Sequence, residues 1–160
     1  MQPVHAPPQL PAAETLTVEF KSDRERLSDD DLVAALVCLA NTEGGQLWLG
    51  VEDDGRPTGL HAAHQNPVGL PGLVAARTSP PLQVTVHDVL AAGVRVLCLE
   101  VFSSPSDVAT SAGVYLQRRI EQAAFRCAGG ALRAPCQRVG DFLAGRPSAS
   151  LGSVAPTYLP

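Results

Sequence analysis

Acidic side chains stand near two candidate strands in the N-terminal half of the chain, and their type fits a divalent cation. Glu14 and Glu19 bracket the entry of the first strand pattern, and Glu52 and Asp53 end the second. If the strands are neighbours, these acids meet at one end of a sheet and repel one another unless water or a cation screens them. Hard oxygen ligands suit Mg²⁺ or Mn²⁺, which can activate water against a phosphodiester. One interpretation is therefore a catalytic metal site built from this cluster of Glu14, Glu19, Glu52 and Asp53.

A purely structural interpretation of these acids stays open. Glu14 would then belong to a loose leader, and Asp53 with Asp54 would only build a turn. His61 and His64 are three residues apart, a spacing that a helix would place on one face, but no third metal ligand stands nearby. A histidine metal site is therefore weakly indicated.

Basic and aromatic side chains form a second candidate group, suited to nucleic acid. Lys21 and Arg24 follow the first strand pattern. Tyr115 and Arg119 take alternate positions of a late strand, beside Arg118, so the ring and the guanidinium share a face where a base could stack and a phosphate could bind. The chain also divides by charge. Residues 1–110 hold six Lys or Arg and fourteen acids, giving −8, whereas residues 111–160 hold six Arg and two acids, giving +4. Solvated surface arginines remain the alternative interpretation.

The bulk composition bounds the class of protein. The 160 residues suit one domain, and the net charge of −4 argues mildly against strong nonspecific DNA binding. The sequence shows no membrane span, signal peptide or P-loop, so we expect a cytoplasmic chain with no membrane partner. Four cysteines without a C-x-x-C pair fit a reducing compartment. We expect a flexible Pro-rich leader at 1–13, a domain at 14–145 and a tail at 146–160.

Alternation and capping signals predict the order of elements. Ser28 is an N-cap before three aspartates that the helix dipole stabilises. The predicted helices are Asp29–Ala40, a short one near Leu73–Arg77, and a late one that begins at Pro135 and ends near Gly145. The predicted strands are Thr15–Lys21, Gln46–Glu52, a short return strand near Pro57–Leu60, Leu82–Leu90, Val94–Phe102 and Val114–Ile120. This order predicts an α+β fold with a single mixed, mainly antiparallel sheet and a few helices.

The stretch from Asn41 to Gly55 is the most specific signal in the chain. Gly44 and Gly45 can adopt positive φ and so end the helix before the next strand. A helix break of this kind does not by itself need Asn41 and Thr42 before it, or acids after the strand that follows.

These segments resemble the Schlafen AlbA-2 domain family. The matching segments, in the family's order and close to its spacing, are E-F-K at 19–21, A-N-T-E-G-G at 40–45, G-V-E-D-D-G at 50–55, G-L at 59–60 and Y-L-Q-R-R at 115–119. Asn41, Thr42, Gly44, Gly45, Gly50 and Gly55 carry the motif. The resemblance covers roughly residues 14–120. After Ile120 the chain departs from the family pattern, since Ile120-Glu121-Gln122 stands where a Gly-Ser segment is common.

The resemblance implies an AlbA-2-like α+β domain, nucleic-acid binding and a role as a transcriptional regulator. Some animal members cleave RNA with three carboxylates, and Glu14, Glu19 and either Glu52 or Asp53 match those positions. The resemblance therefore leaves three hypotheses. They are a nucleic-acid-binding module, a divalent-metal-dependent endoribonuclease, and a non-enzymatic oligomerisation or regulatory domain. An exposed sheet edge with a Pro-rich tail also suits a homodimer.

Overall fold

A computed structural model describes residues 6–118 and the backbone of residues 136–138. Two helices are α1 (Asp29–Ala40) and α2 (Leu70–Ala76), and single 3₁₀ turns cover Ala62–His64 and Pro67–Gly69. The strands are β1 (Val18–Lys21), β2 (Gly44–Leu49), β3 (Thr78–Ser79), β4 (Thr85–Ala91), β5 (Val94–Phe102), β6 (Ala109–Thr110), β7 (Leu116–Arg118) and β8 (Cys136–Arg138). This element content confirms the predicted α+β class.

The main sheet is mixed and mostly antiparallel. Its strand order is β1-β2-β5-β4, with β1 parallel to β2 and the other two pairings antiparallel. Helix α1 connects the two parallel strands, as a parallel crossover requires. Two further pairs, β3 with β6 and β7 with β8, form small antiparallel sheets. Glu14 and Glu19 stand at the start of β1, whereas Glu52 and Asp53 follow the end of β2. Because these two strands are parallel, the acids lie toward opposite ends of the sheet, and the prediction that they meet at one end is wrong.

Helix α1 has the predicted bounds, because its start is capped by a side chain. The Ser28 hydroxyl accepts a hydrogen bond of 3.1 Å from the backbone N–H of Asp31. Three aspartates fill the first turn, where the helix dipole favours negative charge. Cys38 on this helix is buried and disulfide-bonded, whereas Cys98 of β5 is a buried free thiol.

The sheet is covered by apolar side chains on both faces. One cluster joins α1 to Leu47 and Leu49 of β2 and to alternate residues of β5. The other contains Phe20, Trp48 and Val51, on the face away from α1. Trp48 is fully buried, and its indole N–H donates to the Gln46 side chain over 3.1 Å. Alternation along β2 thus places successive side chains in two separate cores.

The segment before β1 lies against this second core. Leu10 packs on the cluster that contains Phe20 and Trp48.

Within the described part of the chain, no helix has the length and apolar character needed to cross a bilayer.

Several predicted elements differ in bounds or type from the observed ones, and three of these differences have a clear physical reason. Strand β2 begins at Gly44, because the double glycine enters the sheet opposite Phe102. The expected return strand at 57–60 contributes one isolated bridge, between Val51 and Pro57. The helix predicted from Pro135 is wrong over residues 136–138, which form β8. A proline can precede a strand as well as a helix, and pairing with β7 decides between them. The rest of that predicted helix lies outside the described residues.

Candidate functional site

Glu19 is the centre of a buried ion cluster. The side chain stands on β1 and is 3% exposed, which is rare for a carboxylate without partners. It accepts from the Lys21 ammonium over 2.6 Å and from the guanidinium of Arg118. Two cations therefore already balance the charge of Glu19.

Glu14 lies beside this cluster and differs from Glu19 in its environment. One carboxyl oxygen accepts the backbone N–H of Phe20 over 2.8 Å, which fixes the side chain at the start of β1. Partial burial raises the pKa of Glu14 to about 7, and the nearby charge of Glu19 adds to the increase. The two glutamates expected together by sequence are thus close, and the partly buried site of Glu14 favours its protonated form.

Arg118 is buried and does not face solvent. Its side chain is 1% exposed, and its Nε has no hydrogen-bond partner among the described residues. Its backbone N–H donates to the Thr42 hydroxyl over 2.9 Å. As placed, the guanidinium binds Glu19 inside the protein and is not available to a phosphate.

The contacts of Glu52 and Asp53 differ from those of Glu14 and Glu19. The Glu52 carboxylate accepts from the hydroxyls of Ser22 over 2.9 Å and Thr58 over 2.5 Å, while Asp53 is exposed. Within residues 6–118, no three His, Cys, Asp or Glu side chains are grouped so as to hold a metal ion. The residues present therefore do not fit a three-carboxylate Mg²⁺ or Mn²⁺ site.

The other predicted nucleic-acid contacts are dispersed. Lys21 is engaged by Glu19, whereas Arg24 is exposed in the connection after β1. The Tyr115 hydroxyl donates to Asp107 over 3.0 Å, and burial, followed by this bond, raises the pKa of Tyr115. Arg119 lies outside the described residues, so its shared face with Tyr115 stays a prediction.

Asn41 is a structural clamp at the end of α1. Its amide nitrogen donates to the carbonyls of Val108 over 2.7 Å and Leu116 over 2.9 Å, and its amide oxygen accepts the Val108 N–H over 2.8 Å. The backbone carbonyl of Asn41 also accepts from the side chain of Gln117 over 3.1 Å. Together with Thr42, Asn41 therefore ties α1 to β7.

The glycines of the motif allow backbones to approach closely. At Gly45, with φ at +138°, an added Cβ would lie 2.0 Å from the Thr17 carbonyl oxygen. At Gly50, with φ at +94°, it would lie 2.8 Å from the Gly59 carbonyl oxygen. Gly44 and Gly55 also have positive φ, at +78° and +85°. These motif glycines thus shape the scaffold.

The sequence interpretation missed one buried polar pair. Asp23 is fully buried directly after β1, and the imidazole Nδ1 of His64 lies 2.9 Å from both of its carboxylate oxygens. The sequence spacing of His64 relates it only to His61, as a possible metal ligand. The two partners are 41 residues apart, so no local spacing indicates their contact.

Comparison with protein families matches most of the described chain to one family. A model of the Schlafen AlbA_2 family matches residues 14–124, which is more than half of the chain. A second model, named for the C-terminal domain of an FAD-dependent protein, matches residues 91–160, which is less than half.

Two solved structures resemble the chain in fold, and one curated relative matches part of its sequence. A Corynebacterium diphtheriae crystal structure has a TM-score of 0.53 at 23% identity and covers 78% of this chain and 22% of that chain. The N-terminal domain of a helicase RecG-related protein from Nitrosomonas europaea, solved by NMR, has a TM-score of 0.51 at 22% identity and covers 76% and 89%.

The curated relative comes from Clostridium beijerinckii and is described only as an uncharacterized protein. It is 44% identical over 63 residues, a match that covers 38% of this chain and 12% of the relative. The match thus spans 12% of the length of this curated relative, and that with the Corynebacterium structure spans 22% of that chain. The family match extends from Glu14 through the clamp and the glycine motif to β7. The chain belongs to the Schlafen AlbA_2 family.

Proposed function

We propose that the chain is a nucleic-acid-binding domain that acts in transcription regulation. The family match over residues 14–124 carries this proposal. The similarity to the N-terminal domain of a RecG-related protein supports it, because that protein is named for a DNA helicase. Apart from the buried Arg118, residues 111–160 hold five arginines and two acids, and this basic composition supports it further, since a basic segment attracts the phosphate backbone.

The described residues suggest where the body of the domain would contribute. Among the cationic side chains of residues 6–118, Arg24 and Arg56 are exposed and form no ion pair. They follow β1 and β2, which are adjacent and parallel, so both stand beyond the same end of the sheet. The hydrogen bond from Ser22 to Glu52 joins the two segments that carry them. A strand of nucleic acid passing this end would meet both guanidinium groups.

A fluorescence-anisotropy titration tests the proposal. Short labelled DNA and RNA strands are titrated with the full chain at about 50 mM and about 200 mM salt, a range over which phosphate contacts weaken strongly. The double variant Arg24→Ala with Arg56→Ala should weaken binding and reduce the salt slope by about two. Arg95→Ala is the matched control, because Arg95 is paired with Asp88 by bonds of 2.6–3.0 Å. Absence of binding to either strand at the lower salt concentration rejects the proposal.

The endoribonuclease alternative receives less support from the geometry. A metal-dependent endoribonuclease would need its carboxylates free to coordinate, but Glu19 is held by Lys21 and Arg118 and Glu52 by two hydroxyls. A homodimer in the cytoplasm remains part of the proposal, with the outer strands β1 and β4 as its candidate edges. Light scattering on the eluted chain measures its mass and decides the oligomeric state.

A further inference from the structure

The outer edge of β1 is closed by the chain itself. The backbone N–H of Val18 donates to the Thr15 carbonyl over 3.3 Å, and that of Phe20 donates to the Glu14 carboxylate over 2.8 Å. These are the N–H groups that point away from β2, because alternate residues of a parallel strand bond to opposite sides. A further strand therefore cannot pair with β1 without displacing bonds that the chain already makes.

The outer edge of β4 is open. Strands β4 and β5 are joined by a two-residue turn, Ala92 and Gly93, with φ at +51° and +79°. The pair that flanks such a turn is a hydrogen-bonded one, so every second residue back along β4 bonds to β5. Val86, Asp88 and Leu90 lie between those residues and turn their backbone groups outward. Within residues 6–118, these outward groups have no hydrogen-bond partner.

The N-terminal segment does not occupy this edge. Residues 6–10 and the end of β4 line a cavity of about 690 Å³ between them. Among the described residues, no backbone hydrogen bond joins the two segments. Leu10 packs instead on the core that contains Val89 and Ala91. The segment therefore covers a face of the sheet and leaves the edge of β4 accessible.

Strand β4 lacks the features that usually protect an edge. Exposed edges are commonly guarded by lysine, proline or an unpaired charge. Strand β4 contains neither lysine nor proline, and its single acid, Asp88, is bound by Arg95 of β5 through bonds of 2.6–3.0 Å. Leu90 is 74% exposed. An open edge that carries an exposed leucine is typical of a surface that pairs with another strand.

We propose that the edge of β4 binds the same edge of a second copy of the chain, antiparallel and around a two-fold axis at Asp88. The proposal rests on the homodimer that belongs to the proposed function, and it narrows the two candidate edges to one. Pairing about Asp88 uses the whole strand, with Val86 opposite Leu90 of the second copy and Thr85 opposite Ala91. The outward backbone groups then form about six hydrogen bonds between the copies.

The side chains at this pairing suit a second copy. An apolar residue lies two positions to each side of Asp88, the symmetry that a two-fold axis requires. Each exposed Leu90 would contact the half-buried Val86 of the other copy, so that an apolar cross-strand pair forms twice. The two Asp88 carboxylates would be neighbours, but each brings its own Arg95, and the group of four has no net charge.

Light scattering on the full chain tests the partner, and Leu90→Lys tests the edge. The wild-type chain should have the mass of a dimer. A lysine at both cross-strand positions should raise the dimer dissociation constant about tenfold or more. Phe102→Lys is the matched control, because Phe102 is 81% exposed but ends β5 at a distance from the axis, and it should retain the dimer. Circular dichroism verifies that both variants fold.

Cysteine crosslinking tests the register. In a hydrogen-bonded antiparallel pair the Cα atoms are about 5.5 Å apart, which is within the range of a disulfide. Asp88→Cys should therefore link the two copies under mild oxidation. Thr85→Cys is the matched control on the same strand, since the two copies of this residue would be about 20 Å apart. It should crosslink no more than the wild-type chain.

The outcomes separate this pairing from the rest of the proposed function. A monomer at every concentration rejects both the homodimer and the pairing of β4. A dimer that Leu90→Lys leaves intact, or one that Asp88→Cys links no better than Thr85→Cys, overturns the pairing alone. If Leu90→Lys does not fold, the crosslinking comparison decides. Neither measurement uses nucleic acid, so the titration of the Arg24 and Arg56 variant succeeds or fails separately.

Discussion

Arg118 and Glu19 are 99 residues apart in the chain and form a buried ion pair that joins β7 to β1. Burial of two charges is costly unless each is well paired, so removal of one partner is more damaging than removal of both. Because Lys21 also contacts Glu19, the cluster contains two cations. This contact makes β7 part of the domain.

Replacing Arg118 tests the energetic role of this pair. We expect Arg118→Met to lower the free energy of unfolding by about 3 kcal/mol, because it removes a cation from the buried Glu19. The double variant with Glu19→Met should recover part of that loss, and urea unfolding measures both. A loss below about 0.5 kcal/mol, typical of surface substitutions, would contradict burial of the pair.

Glu14 predicts a specific pH dependence of stability. Its pKa is raised from 4.5 to about 7, so between these values the folded state binds a proton that the unfolded state has released. The stability that Glu14 contributes is therefore complete below about 4.5 and is lost as pH rises through about 7. Urea unfolding of the wild-type chain and Glu14→Gln at several pH values measures it. The unfolding free energy of the wild-type chain should fall relative to that of Glu14→Gln as pH rises. Curves of unfolding free energy against pH that run parallel for the two proteins would contradict the assignment.

Gly45 should not tolerate a side chain. In Gly45→Ala the new Cβ would collide with the Thr17 carbonyl and hold a backbone conformation that L residues rarely adopt, so we expect a loss of about 3 kcal/mol or more. Gly72→Ala is the control, since Gly72 lies in α2 with no atom within 4 Å of the added Cβ. It should be stabilising by about 0.5–1 kcal/mol. Equal effects at the two positions would refute the explanation.

Asn41 should require an amide and not only its size. Asn41→Ala removes the three hydrogen bonds of the side chain, and we expect a loss of about 2–3 kcal/mol in unfolding free energy. Asn41→Asp has the same shape but places a carboxylate against the carbonyls of Val108 and Leu116. It should be at least as destabilising as alanine, and a stable aspartate variant would argue against the clamp.

Local patterns predicted the elements whose signals lie within one segment. Helix α1 matches its predicted bounds because capping at Ser28 and the apolar stripe are local properties. Strand β5 matches as well, because alternation and the turn before it are both readable. The residue types in A-N-T-E-G-G and G-V-E-D-D-G indicated the family, and the family model confirms it.

The bonding partners of the site could not be predicted in this way. Alternation indicates that Arg118 and Leu116 share a face, but not that this face is internal and meets Glu19. Glu52 was expected beside the other glutamates, yet the hydroxyls of Ser22 and Thr58 engage it. The contact between Asp23 and His64 likewise depends on how two loops meet. Such contacts between distant segments cannot be predicted from spacing rules.

Trp48 is the single tryptophan of the chain, and its indole is buried in the core on the face of the sheet away from α1. Its emission therefore reports on that one interior, without contributions from a second indole. Loosening of the interior would admit water to the ring and shift the emission to longer wavelength. The protein thus carries an intrinsic optical probe, and every unfolding comparison above can be followed without attaching a dye.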